Sequence, residues 1–156
     1  MHKEAIELYG NQLRVRVCGI HIQDKKILLV KHHALQGEGF FWAPPGGGLQ
    51  FGETLTQAIQ REFLEETGLH VKVEHLIAVT EYLSLPLHAI ELFFQVHVLN
   101  GTLIQGKDPE ISAHNQLISD VKMLSLQEIQ ALKQTIQPKH TFHKVLDDVQ
   151  ILNLLK

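Results

Sequence analysis

What this chain lacks narrows its class before any motif is read. It has a single cysteine, Cys18, so no intramolecular disulfide can staple the fold. Cys18 sits in an alternating apolar run and reads as a small buried hydrophobe rather than a reactive thiol. No apolar run approaches the roughly 20 residues of a membrane span, and Met1 to Gly10 lacks the apolar core of a secretory signal. A cytoplasmic protein with no membrane partner is expected. An excess of positive charge is missing too. The formal net charge of −3 argues against a face that grips a nucleic-acid backbone, so no nucleic-acid partner is expected. No repeat, low-complexity tract or Pro/Gly/Ser linker divides the 156 residues, and a single domain over 1–156 is expected. A domain of that length buries enough surface to fold without staples.

What is present reads as strands mixed with few helices. Leu13 to Ile22 alternates apolar and polar residues, as a strand does. The polar turn Gln23-Asp24-Lys25-Lys26 and the return over Ile27 to Val30 predict a hairpin. Ala34 to Gly39 reads as a loop, Phe40 to Trp42 as a short aromatic piece, and Pro44 to Gly48 as a break in regular structure. Thr54 to Thr67 reads as a helix, with Thr54 and Gln57 as a capping box and Gly68 as its stop. Leu69 to Val79 and Ala89 to Leu99 are strand-like, Asn100-Gly101 could turn, and Gly106 to Gln116 is polar and irregular. Val121 to Leu124 suggests a short strand, and Ser125 with Glu128 starts a helix through Leu132. His140 to Leu155 reads as a C-terminal helix with Phe142, Val145, Leu146, Val149 and Leu152 or Leu154 as its apolar stripe. This mixture predicts an α+β or layered α/β/α domain.

The chemistry concentrates in the helix after the glycines. Glu62, Glu65 and Glu66 stand at i, i+3 and i+4, which places their carboxylates on one helix face. At about 100° per residue, Leu55, Ala58 and Ile59 fall within roughly 60° of Glu62. The acids therefore continue the stripe that faces the protein body, where unpaired carboxylates are costly. Arg61 and Arg14 or Arg16 could supply counter-charge, and a hard divalent cation such as Mg²⁺ would supply more. For three helical glutamates alone, a solvated acidic face is the simpler reading. The glycine-rich turn ahead of them changes that balance, because it lets backbone approach a metal or phosphate closely. Together these parts suit metal-assisted attack of water on a phosphate ester.

The pattern Gly47-x5-Glu53-x7-Arg61-Glu62-Phe63-x-Glu65-Glu66-x-Gly68-Leu69 resembles the Nudix box at every fixed position. A chance match in a chain this length is far below roughly one in a million. Trp42 followed by Pro45-Gly46-Gly47 is similar to the family's lead-in, although Pro44 stands where an aliphatic residue is more usual. The resemblance implies a Nudix-type α/β/α sandwich with a mixed central sheet. It also implies a MutT-like hydrolase that cleaves a nucleoside diphosphate linked to another moiety, by water attack on phosphorus. Mg²⁺ is the implied cofactor, with Mn²⁺ as a substitute. Glu62 and Glu66 are its implied ligands, with Glu65 close behind and the Gly46 carbonyl as a backbone ligand. Arg61 is expected to orient the glutamates, and Glu53 to stand at the edge of the cluster. The general base is either a box glutamate or a distant acid. Asp108 and Glu110 rank level among the distant acids, with Asp120 and Glu91 behind them.

Weaker signals surround the box. Lys31, with His32 and His33, could reach a phosphate, and Trp42 or Phe51 could stack on a base, although strand end and core are the simpler fates. Tyr82 and Phe94 are similar cases. His140 and His143 are spaced for a zinc pair, but nothing completes a four-ligand site. Substrates from nucleoside triphosphates to ADP-ribose, nucleotide-sugars and dinucleoside polyphosphates stay open. Selectivity is expected from Gln36 to Phe41, Glu81 to His88 and Ile104 to Gln116. A homodimer is common in the family. A rival reading is a Nudix-fold module that senses a nucleotide without turning it over.

Overall fold

A computed structural model describes residues 3–35, 39–132 and 149–156. Among the described residues, eight strands form two sheets. β1 (Gln12–Ile20) is flanked by β5 (Gly46–Gly48) and β7 (Leu87–Gly101), and β6 (Leu69–Ser84) forms the far edge. β1 and β7 run parallel while the other pairings are antiparallel, so this sheet is mixed. The second sheet centres on β3 (Lys26–His33), which pairs with β2 (Ile22–Gln23), β4 (Phe40–Ala43) and β8 (Ile118–Ser125).

Helices cover both faces. α2 (Leu55–Thr67) buries Ala58, Ile59 and Phe63 against Val17, Val96 and Leu28, which come from both sheets. On the opposite face, Ile129 of α3 (Leu126–Leu132) and Ile151 and Leu155 of α4 (Val149–Leu155) pack on Cys18, Ile20, Ile27, Trp42 and Phe93. The result is the mixed α/β/α sandwich expected from the sequence. Among the described residues, no helix is long and apolar enough to cross a membrane.

α2 forms as its sequence directs. Thr54 accepts from the Gln57 backbone N–H at 3.2 Å, and the Gln57 side chain accepts from the Thr54 N–H at 2.9 Å. Gly68 ends the helix in the left-handed conformation, with φ 73°. The last carbonyls, which a helix leaves without internal partners, are taken by the chain beyond β7. Ile104, Gly106 and Lys107 donate their N–H groups to Thr67, Glu66 and Glu65 at 3.0, 2.9 and 3.1 Å.

Several local expectations are corrected. β1 does not pair with β3, because both its edges are already occupied by β5 and β7. The hairpin is reduced to β2 turning back on β3 through Asp24 and Lys25, at φ 51° and 59°. Gly46 to Gly48 is not a break but β5, lying opposite Arg16 to Cys18. Asn100-Gly101 is not a turn but the end of β7, paired with Leu69 and His70. β6 and β7 run longer than their apolar runs suggested. α1 (Lys3–Tyr9) had no sequence signal strong enough to read. Of the expected C-terminal helix, residues 140–148 lie outside the described residues.

The reciprocal cap on α2 gives a direct test of helix stability. Thr54→Ala should cost about 1 kcal/mol, seen as a lower urea midpoint at unchanged m-value. An unshifted midpoint would show that the cap contributes nothing.

Candidate active site

The box glutamates face inward because α2 presents them on the same side as its apolar stripe. Glu62 and Glu66 are only 9% and 5% exposed. They meet the backbone of β5: the Gly46 N–H donates to Glu66 Oε2 at 2.9 Å. Gly47 leaves the space that the Glu62 carboxylate fills, since an added Cβ would overlap its oxygens. Burial pushes Glu62 up to about 7, against the pull of Arg61. Burial, and then the charge of Glu62, holds Glu66 well above the usual carboxylate range.

Arg61 ties the outer part of the cluster together. Its guanidinium donates to both oxygens of Glu53 at 2.6 and 3.0 Å, to Glu62 Oε1 at 2.8 Å, to Glu65 Oε2 at 3.2 Å and to the Gly48 carbonyl at 3.1 Å. The hydrogen bonds from Arg61 pull Glu53 below its ordinary range, whereas burial raises Glu65. This fork fixes the turn after β5 to α2 as well as the carboxylates.

The cleft that Glu62, Glu65 and Glu66 line is also lined by side chains from three other parts of the chain. β1 contributes Arg14 and Arg16, α1 contributes Tyr9, and the loop after β7 contributes Asp108 and Glu110. The Arg14 guanidinium lies 3.9 Å from the centre of the Tyr9 ring. Among the described residues no carboxylate comes within ion-pairing distance of Arg14. Burial, and then the Arg16 charge, lowers Arg14 to about 10, so it remains a cation at neutral pH. Arg16 lies 3.9 Å from Glu91 Oε1 and donates to the Gly46 carbonyl at 3.4 Å, while its buried Nε has no hydrogen-bond partner among the described residues. His32 and Phe41 stack at 5.1 Å on the same cleft, beside His33, Leu35 and Leu117.

The structure thus brings Gly46, Arg61, Glu62, Glu65, Glu66, Asp108 and Glu110 to one cleft, with Glu53 joined through Arg61. It does not bring the three anticipated substrate contacts there. Trp42 is a core residue packed with Ile27 and Phe93. Phe51 projects fully into solvent, and the Lys31 ammonium lies over the Phe40 ring at 4.2 Å. None of the three lines the cleft; their neighbours His32, His33 and Phe41 do. Asp120 pairs with Lys122 at 2.6 Å and is also absent from the lining. Glu91 is buried beside Arg16. The suggested zinc pair, His140 and His143, lies outside the described residues. Tyr9 was missed. Its only signal was the i, i+4 spacing with Ala5, which says nothing about a partner about 100 residues away.

The donor set fits a hard cation. It consists of oxygens alone, and burial raises both innermost carboxyls, Glu62 and Glu66, so that each favours a proton or a cation over a bare charge. Among the described residues, no three acidic, histidine or cysteine side chains already converge as a finished cage. Glu62 and Glu66 instead accept hydrogen bonds from Arg61 and the Gly46 N–H.

Comparison with known proteins places these features in context. A family model described as the NUDIX domain matches residues 11–145. An ADP-ribose pyrophosphatase of Methanocaldococcus jannaschii is 42% identical over 98 residues, covering 60% of this chain and 56% of that protein. Phosphatase NudJ of Escherichia coli K12 is 33% identical over 67 residues, 43% of this chain and 42% of that protein. The chain therefore aligns with about half the length of these curated relatives. The crystal structure of a MutT NUDIX hydrolase from Burkholderia pseudomallei superposes with a TM-score of 0.68 at 22% identity. That match covers 88% of this chain and 98% of the other.

Burial that raises the Glu66 carboxyl makes the metal-free fold either take up a proton there or hold a deep charge, and either one costs stability at neutral pH. Glu66→Gln keeps the shape and removes the titrating group, so in EDTA at neutral pH it should stabilise the fold by roughly 1–2 kcal/mol. A melting temperature below that of the wild type under those conditions would show that the Glu66 carboxylate is already compensated.

Proposed function

The chain belongs to the NUDIX domain family, and from that premise we propose that it is a Mg²⁺-dependent pyrophosphohydrolase acting on a nucleoside diphosphate linked to another moiety. One observation carries this reading: two buried carboxyls, Glu62 and Glu66, and two arginines, Arg14 and Arg16, line one cleft. The first arrangement suits a cation and the second suits phosphate. ADP-ribose is the first substrate to test, because the Methanocaldococcus jannaschii relative is named for that activity. Nucleoside triphosphates, nucleotide-sugars and dinucleoside polyphosphates follow.

Glu62 and Glu66 would hold Mg²⁺, or Mn²⁺ in its place, with Glu65 and the Gly46 carbonyl beside them. When bound, the metal supplies charge neutralisation at phosphate and makes water more acidic. Arg61 keeps the glutamates aligned through its fork of hydrogen bonds. Arg14 and Arg16 receive the phosphate oxygens, a role that suits the planar guanidinium. Glu110 takes the proton from water as the water oxygen attacks phosphorus. The bridging P–O bond then breaks, and the leaving phosphate keeps its electron pair. Asp108 serves the turn, because its Oδ1 accepts from the Glu110 N–H at 3.0 Å.

The test is a substrate panel with Mg²⁺ and Mn²⁺, read as phosphate released by a coupled phosphatase. Glu62→Gln and Glu66→Gln should each lower kcat by about 100- to 1,000-fold, a loss of roughly 2.7–4 kcal/mol of transition-state stabilisation. Mg²⁺ at about 100 times its dissociation constant should stabilise the wild type by about 2.7 kcal/mol and the double Gln variant far less. Full metal-dependent activity in the double variant would overturn the proposal. Tight ADP-ribose binding with no turnover would replace it with a sensing role.

A further inference from the structure

We propose that α1 is the strap that sets the loop of distant acids, and that Tyr9 is a positioning residue for the reaction; this rests on the function proposed above. The helix holds the loop at two points. At one end the Glu4 carboxylate accepts from the Ser112 N–H at 3.0 Å, the Ser112 hydroxyl at 2.8 Å and the Asn115 amide at 2.6 Å. At the other end the Tyr9 hydroxyl donates to Glu110 Oε2 at 3.0 Å, with Asp108 Oδ2 farther off at 3.5 Å. Between these points Ala5 and Tyr9 pack against Ile111, Leu117 and Leu87.

The start of the loop is fixed independently, by the hydrogen bonds of Gly106 and Lys107 to the end of α2. Gly106 comes so close there that a Cβ would overlap the Glu65 carbonyl. Inside the loop, Gln116 closes the turn by accepting from the Asp108 N–H and donating to the Asp108 and Ile111 carbonyls, at 2.8, 2.9 and 2.7 Å. The remaining freedom is the direction of the Glu110 side chain. Tyr9 holds one of its oxygens, and Gln50, from the turn before α2, holds the other at 3.3 Å.

Tyr9 does a second thing at the same time. The face of its ring is the shelf on which the Arg14 guanidinium rests. The hydroxyl thus aims an acid and the ring aims a cation, and two substitutions separate the roles. Tyr9→Phe keeps the shelf and deletes the hydroxyl, whereas Tyr9→Leu removes both.

The test uses the full chain. Without any ligand, backbone amides of 108–116 should exchange hydrogen about 10-fold faster in Tyr9→Phe and in Glu4→Gln than in the wild type. With the best substrate of the panel and Mg²⁺, Tyr9→Phe should lower kcat about 10- to 100-fold, with KM within about twofold. Tyr9→Leu should raise KM as well. Adding Tyr9→Phe to Glu110→Gln should cost little beyond Glu110→Gln alone, because both changes remove the same aimed carboxylate. Wild-type kcat in Tyr9→Phe, fully additive losses, or unchanged exchange would each overturn the proposal. If the wild type hydrolyses nothing, the reaction fails on its own account and the strap is judged by exchange alone. Faster exchange then supports it and unchanged exchange removes it.

Discussion

The glutamate carboxylates of α2 lie against the backbone of β5, and the rest of the cleft is arranged around that contact. Burying a carboxylate costs several kcal/mol when its charge is not fully met. Here the cost is offset in part by the Arg61 fork and by the Gly46 N–H. The contact also demands a bare position at Gly47, where a Cβ would overlap the Glu62 carboxyl. β1 crowds Gly46 and the Arg14 guanidinium crowds Gly48, so β5 consists of glycines alone. A short strand of glycines is a poor strand by propensity. It persists because β1 supplies its hydrogen-bonding partner over Arg16 to Cys18, and because Arg61 ties its far end to the helix.

The same helix organises the distant side of the cleft. Its last carbonyls need partners, and the chain leaving β7 supplies them. One hydrogen-bonding requirement at a helix end thereby fixes where a long irregular segment begins, and α1 fixes where it goes next. The loop lacks regular structure yet is held from both ends. A group that must meet a substrate needs that kind of support.

Much of the central element was legible in the chain. The capping box of Thr54 and Gln57, the stop at Gly68 and the inward direction of Glu62 and Glu66 depend on residues within a few turns of one another. Spacing alone can display such relations. The strand pairings were less legible. Leu13 to Ile22 and Ile27 to Val30 have the right alternation, but alternation does not name a partner. β1 met β5 and β7 instead of its neighbour in sequence. Gly46 to Gly48 looked like a break because an isolated run of glycines has no reason to be extended.

The sequence by itself determined the acidic helix, its caps, the family resemblance and the mixed layered class. All of these follow from short-range spacing or from one compact motif. Only the tertiary structure decided the opposite wall. It sent Trp42 to the core and Phe51 to solvent, placed Arg14 and Arg16 in one cleft with the glutamates, and joined Tyr9 to Glu110. The physical reason is that these meetings join segments far apart in the chain. Their positions are set by how two sheets and their covering helices pack, and no local pattern encodes that.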